Sequence, residues 1–245
     1  MMSRIIPIAT AVVADSLRRK VVYIVLVFAA FLALAIPALP SYGLGVEDAV
    51  FREVALALSF VTALVLTLSL AANRVPAEVE RRTVYNVIAK GVGRWEYLVG
   101  TWLGILIVTG GAIAAFTVVE QVIALVKYRD AMWQLWQGAL AVWLEMGVLA
   151  AFAVAVSAIT GPVVVVTASL AALFAGHSRS TLLGGEGALG LRPFYPSLDA
   201  FNVVNPVAHG SGVPPLYIVS MLVVFLGFAA MSLAVGIALF SRRDL

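Results

Sequence analysis

Apolar residues fall into six long runs, at 21–39, 54–73, 98–126, 138–159, 162–176 and 216–240, and polar residues collect between them. A helix needs roughly 20 apolar residues to cross a bilayer. The pattern therefore predicts an all-α integral membrane fold with six transmembrane helices in a single domain over 1–245. The fourth and fifth runs are separated by little more than Gly161, and Pro162 there ends one helix and begins the next. The fifth run is the shortest at 15 residues, which is ~22 Å of helix. It either continues into 177–183 or spans only in part.

Ahead of the first run the spacing changes. Ile5, Ile8, Ala9, Val12 and Val13 recur on one helical face, with Pro7 near the start. This predicts an amphipathic helix within 1–20, lying on the cytoplasmic interface; the alternative is an unstructured tail. Arg18, Arg19 and Lys20 come directly before the apolar run at 21–39, and that run has no small-residue cleavage site. It reads as a retained first span rather than a signal peptide.

The densest polar stretch lies between the second and third runs. Positions 74–97 hold 8 charged residues out of 16 basic and 13 acidic in the whole chain. A loop this polar must leave the bilayer, and its basic balance places it on the cytoplasmic side. Pro76 suits a first helical turn, Glu78 and Glu80 favour the N-terminal end, Lys90 favours the C-terminal end, and Gly91 fits a stop. The segment 76–90 is thus expected to form its own helix. Val84, Val87 and Ile88 form an apolar stripe on it, flanked by Arg81 and Arg82. A solvated hairpin has no use for such a stripe, whereas a docking helix does. Trp95 and Tyr97 are expected at the interface, with Gly100 and Gly104 opening the third span.

Composition narrows the class further. With 62% hydrophobic and 12% charged residues and a mean hydropathy of +1.05, the chain is far from the soluble norm of about 25% charged. It has no cysteine, which excludes a disulfide framework and a thiolate metal site. A pI near 9.4 does not point to nucleic acid here, because the basic residues flank apolar runs. With the N-terminus inside, the cytoplasmic segments carry 11 basic and 5 acidic residues, and everything else carries 5 and 8. That asymmetry places both termini in the cytoplasm of a cell (inner or plasma) membrane protein. The outer loops are then 40–53, 127–137 and the long 177–215 between the fifth and sixth spans. Trp133 and Trp136 are interface anchors, and Ser197 is placed as the N-cap of a short helix.

Several chemistries are missing. None of Lys20, Lys90 and Lys127 is followed by Ser or Thr, so no phosphate-cradling loop exists and the chain itself is not expected to be an enzyme. Two histidines, His177 and His209, without cysteine make no metal site; no cofactor or catalytic residue is expected. The run from His209 to Gly212 has the look of an intramembrane serine protease motif, but both groups lie outside the spans that such chemistry requires. Ionisable groups within spans are functional candidates by default, and there are two, Glu120 and Glu145. For each a plainer role competes with a place on a transport pathway: Glu120 snorkels to the outer surface, and Glu145 is hydrogen-bonded at a helix interface. Arg52 and Glu53, at the outer mouth of the second span, pair with each other or with a neighbour.

The run from Glu78 to Gly100 resembles the loop between the first two membrane hairpins of type-2 ABC exporter permeases, in the subgroup that includes the permease of the nitrous-oxide-reductase maturation system. Glu78, Thr83, Ile88, Lys90, Arg94, Tyr97 and Gly100 match the family pattern. The N-terminal amphipathic helix, the six spans and the run from Leu198 to Asn202 in the long outer loop match as well. Gly91 stands where many members have proline, and Thr101 where a lysine commonly follows the glycine. The resemblance implies a permease subunit that pairs with a second copy of itself or a homologous permease and recruits two ATP-binding cassette subunits. The helix 76–90 would then be the coupling helix, with Glu78, Glu80, Arg81, Arg82, Thr83, Val84, Val87, Ile88, Lys90 and Arg94 at the ATPase interface. An ATP-independent channel or secondary transporter is the alternative, and would call for more polar residues along the spans. Membrane lipid is the remaining partner expected; nucleic acid is not.

Single cysteines introduced at Ala77 and Ser241 are expected to be labelled by an impermeant reagent only from the cytoplasm, and one at Gly187 only from outside. Labelling of Gly187 and Ser241 from the same side would mean that the fifth run does not cross.

Overall fold

The computed structural model describes residues 4–18, 47–80, 92–178 and 197–242, together with positions 27, 30 and 31. Among these the chain is helical and contains no strand. The longer helices are α1 (Ile5–Arg18), α2 (Glu47–Glu80), α3 (Arg94–Lys127), α4 (Gln134–Ser157) and α5 (Pro162–His177). A 3-10 turn (Leu198–Phe201), the short α6 (Val204–Ala208) and the long α7 (Pro215–Ser241) complete the order. Four of them, α2 over Glu47–Glu78, α3, α4 and α7, are long and apolar enough to cross a membrane. α5 is apolar but shorter, at 16 residues. The predicted first span at 21–39 lies outside the described residues except for Val27, Ala30 and Phe31, which are helical.

α4 is the centre of the bundle. Of its most apolar stretch 78% is buried, against 22% for α7, and it packs on α2, α3, α5 and α7. The cause is its run of small residues, which lets neighbouring helices approach closely. A Cβ placed on Gly138 would stand 2.5 Å from Leu56 of α2, and one on Gly147 2.5 Å from Phe225 of α7. Two indoles lock α3 to α4: Trp102 Nε1 donates to the Gly147 carbonyl at 2.9 Å, and Trp143 Nε1 to the Leu106 carbonyl at 3.0 Å.

α1 packs along the start of α3 in a groove made by two glycines one turn apart. A Cβ on Gly100 would fall 2.8 Å from Ile8, and one on Gly104 2.5 Å from Val12. The apolar face read from the sequence is the docked face, since Ala9 and Val12 are buried while Ile6 is 63% exposed.

Two sequence expectations change. The helix holding the second apolar run extends well past 54–73 at both ends, and Pro76 lies inside it rather than in the first turn of a separate helix. Hydropathy falls off at Asn73, but backbone bonding does not: only the N–H that Pro76 lacks is withheld from the Ala72 carbonyl. The i,i+4 pairs Asp48–Arg52 (3.1 Å) and Arg74–Glu78 (2.7 Å) sustain the polar ends. Residues 81–90 of the expected coupling helix lie outside the described residues. Ser197 does precede a short helical turn, but its hydroxyl makes no capping bond.

At the end of the bundle where α4 begins, the segment 197–213 is tied down by side chains. Arg52 Nη1 donates to the Ala208 carbonyl at 2.8 Å. Gln134 Nε2 donates to the Gly210 carbonyl at 3.0 Å. Gln137 grips Val213 twice, accepting from its N–H at 2.7 Å and donating to its carbonyl at 3.3 Å. Gly210, at φ +72°, sits in the left-handed region, and a Cβ there would stand 3.2 Å from Arg52 Nη1.

Gly236 of α7 lies where a Cβ would come within 2.7 Å of the Ala155 backbone in α4, so Gly236→Val is expected to prise the two helices apart at a cost of roughly 1–3 kcal/mol. Gly227→Ala, on the same helix and facing open space, is the control and should leave the melting temperature in detergent unchanged or higher. Equal melting temperatures for both variants would contradict this packing.

Candidate functional site

The sequence-predicted residues divide between two places, one at each end of the bundle. At the end where α1, the C-terminus of α2 and the C-terminus of α7 meet, a polar chain joins four helices. Arg74 Nη1 meets Asp15 Oδ2 at 3.0 Å and Arg74 Nε meets Glu78 Oε1 at 2.7 Å. The Tyr97 hydroxyl in turn donates to Glu78 Oε2 at 2.7 Å, so α1, α2 and α3 are linked in sequence. Tyr97 is buried and stacks on Phe240 at 6.2 Å between ring centres, which brings in α7. Arg94 closes the arrangement: Nη1 donates to the Phe240 and Ser241 carbonyls, both at 2.8 Å, and its guanidinium lies over the Phe240 ring. A cation bonding the last carbonyls is a favourable helix C-terminus. The start of α3 is fixed by its own first turn, where Glu96 Oε2 accepts from the Gly93 N–H at 2.7 Å.

Of the residues expected to meet an ATPase, Glu78 and Arg94 are therefore engaged within the chain. The backbone of Glu80 closes α2; Arg81, Arg82, Thr83, Val84, Val87, Ile88 and Lys90 lie outside the described residues. Tyr97, expected at the membrane interface, is instead inside the bundle at 2% exposure, because its hydroxyl finds Glu78 there. Thr101 is fully buried with its hydroxyl on the Tyr97 carbonyl.

The second place lies among α2, α4, α5 and the segment that begins at Leu198. A pocket of about 270 Å³ is lined mostly by apolar residues, Leu56, Phe60, Val142 and Phe201 among them, and by Glu145 and His177. Glu145 is 3% exposed. Its Oε1 accepts no hydrogen bond and lies 3.5 Å from His177 Nε2, beyond the ordinary hydrogen-bond range. The imidazole is held by its other nitrogen, with Nδ1 3.2 Å from the Leu173 carbonyl, and by the Phe60 ring edge-on at 6.4 Å. The plainer reading of Glu145, a carboxylate satisfied at a helix interface, does not hold for Oε1.

Glu120 behaves differently. It does not snorkel to the surface: it is 1% exposed, and Oε1 accepts from the Ser59 hydroxyl at 2.7 Å, binding α3 to α2. Arg52 pairs with Asp48 one turn earlier rather than with Glu53. In the run His209–Gly212 the Ser211 hydroxyl goes to the Pro206 carbonyl and the His209 ring to the Asn205 carbonyl, so the two do not form a nucleophile and base. Among the described residues no cluster of three metal-ligating side chains occurs.

Sequence reasoning singled out Glu145 and missed its partner. His177 stands 32 positions later on another helix, and nothing in local spacing joins them. The Asp15–Arg74 contact was equally invisible, although Arg74–Glu78 carries an i,i+4 signal. The geometry defines the class: an all-helical protein whose long apolar helices are of membrane-spanning length, braced by polar side chains at both ends. No protein-family model matches the chain, and a search of curated proteins finds no match.

Arg74→Ala removes the contacts to Asp15 and Glu78 together, at an expected cost of about 1.5–3 kcal/mol for bonds between charged groups, and should loosen α1. A cysteine at the buried Val12 is expected to resist a water-soluble maleimide in the otherwise native chain and to react once Arg74 is alanine. A cysteine at the exposed Ile6 should react in both backgrounds. Undiminished protection of the Val12 position would show that the glycine groove alone holds α1.

Proposed function

We propose that the chain is the transmembrane (permease) subunit of an ATP-binding-cassette transporter, working as an exporter in a dimer with two separate ATPase subunits. The observation that carries this reading is the polar chain Asp15–Arg74–Glu78–Tyr97 with Arg94 beside it. It fixes the end of α2 and the start of α3, and so holds both ends of the connecting segment 81–93 whose pattern reads as a docking helix. A force applied to that segment by a partner would pass into α1, α2, α3 and α7 together, which is what coupling to an ATPase demands. The absence of a phosphate-cradling loop in the sequence accords with ATP being hydrolysed in another subunit.

In this reading Val84, Val87 and Ile88 seat in a cleft of the ATPase, and both chain termini face the cytoplasm of a cell membrane. The six-span topology of the sequence analysis is retained, with the first span at 21–39 and the fifth formed by α5. Glu145, rather than Glu120, is the pathway residue, because Glu120 is closed off by Ser59 while Glu145 opens on a pocket.

Co-expression with a candidate ATP-binding subunit tests the proposal. Ile88→Asp, which buries a charge against an apolar wall at an effective cost of several kcal/mol, is expected to abolish co-purification and stimulated ATP hydrolysis. Arg82→Ala, losing at most one exposed pair worth roughly 0–1 kcal/mol, is expected to be mild. Full binding and stimulation by the Ile88→Asp chain would overturn the coupling role, and an ATP-independent carrier would take its place.

A further inference from the structure

Glu145 Oε1 and His177 Nε2 both face the pocket, 3.5 Å apart. A neutral imidazole that gives its Nδ1 proton to the Leu173 carbonyl turns a bare Nε2 towards Glu145 Oε1, 3.5 Å away. With Glu145 ionised, acceptor then faces acceptor, and Oε1 is among the buried oxygens that have no hydrogen bond within the described residues. We propose that this pocket binds a small amphiphilic organic cation, an ammonium group on an apolar body, with Glu145 Oε1 and His177 Nε2 as its polar anchors.

The chemistry of the walls selects that class. An ammonium brings several N–H donors, enough to bridge both acceptors at once. No lysine or arginine is among the described lining residues, so an anion is disfavoured. A neutral apolar ligand would cover Glu145 and leave it unpaired in a dry site, which is costly. A metal ion would find one carboxylate and one imidazole, too few for a protein-built site. The remaining lining is largely aliphatic and aromatic, Phe60 included. The volume, about 270 Å³, is just below the range of roughly 300–1,000 Å³ typical of drug-sized ligands, which limits the body to a single ring or a short chain. The rim is open, with Val61 44% and Val204 40% exposed.

Glu120 is the internal contrast. It is an equally buried carboxylate, but Ser59 supplies its donor from within the chain, and it does not line the pocket. Glu145 lacks such a donor and has a cavity in its place.

This assignment deepens the transport reading by naming a ligand class. Binding is measured on the full chain without an ATPase subunit, so failure to bind and failure to couple are separate results. The probe is radiolabelled phenethylamine, titrated onto the chain in nanodiscs of zwitterionic phosphatidylcholine, with empty nanodiscs as the blank. Saturable binding is expected, displaced by unlabelled phenethylamine and not by the neutral phenylpropanol, a readout that needs no variant. Glu145→Gln is expected to weaken binding roughly tenfold or more, the loss of one charged hydrogen-bond partner. Ala57→Phe, which fills the pocket from an exposed position, should do the same without touching the anchors. Absence of saturable binding, equal competition by phenylpropanol, or native affinity in both variants would each overturn the proposal.

Discussion

In an apolar bundle a polar side chain has no water to fall back on, so it must find its partner within the protein. That constraint organises this fold. Threonines 62, 101, 109 and 117 return their hydroxyls to the carbonyl one turn back in their own helices. Where a group is too large or too charged for that, it reaches another helix, and these reaches decide which helices are neighbours: Ser59 to Glu120 joins α2 with α3, and Trp102 and Trp143 join α3 with α4. Arg52 ties α2 to the segment beyond α5. Apolar burial holds the helices together without preferring one arrangement strongly over another, because lipid is as apolar as the side chains. The polar contacts and the close approaches at glycine supply the preference.

How much of this was legible follows from which signals are local. The predicted runs at 98–126, 138–159, 162–176 and 216–240 coincide within a few residues with α3, α4, α5 and α7, because apolar length is a property of the segment alone. The ends of α2 differ from expectation because charge at 47–53 and 74–80 marks the end of the apolar stretch and not the end of the helix. The spacing of Asp48 to Arg52 and of Arg74 to Glu78 held the correction in plain sight. Gly100 and Gly104 are expected only to open the third span, and the docking of α1 on them is a tertiary fact.

The candidate site was legible only in halves. A carboxylate in an apolar run identifies itself, so Glu145 and Glu120 stood out together. What separates them is tertiary: one has Ser59 as a neighbour and the other has a pocket and His177. At the opposite end Glu78 and Arg94 are expected at a partner interface and Tyr97 at the membrane surface, while the geometry gives all three a bracing duty among α1, α2, α3 and α7. The side chains that carry the apolar stripe of the expected docking helix lie beyond the described residues, so their part rests on pattern alone.

The length of α2 has a mechanical consequence. As a single helix of 34 residues it measures about 51 Å, and its one proline, Pro76, sits in the last turns rather than the middle. From Glu47 to Val75 it is a stiff beam without a built-in hinge. The same beam supplies Leu56 and Phe60 to the pocket wall near one end and Arg74 and Glu78 to the polar brace at the other. Tilting it at either end must shift the opposite end, so the volume around Glu145 and the seating of α1 are not independent variables.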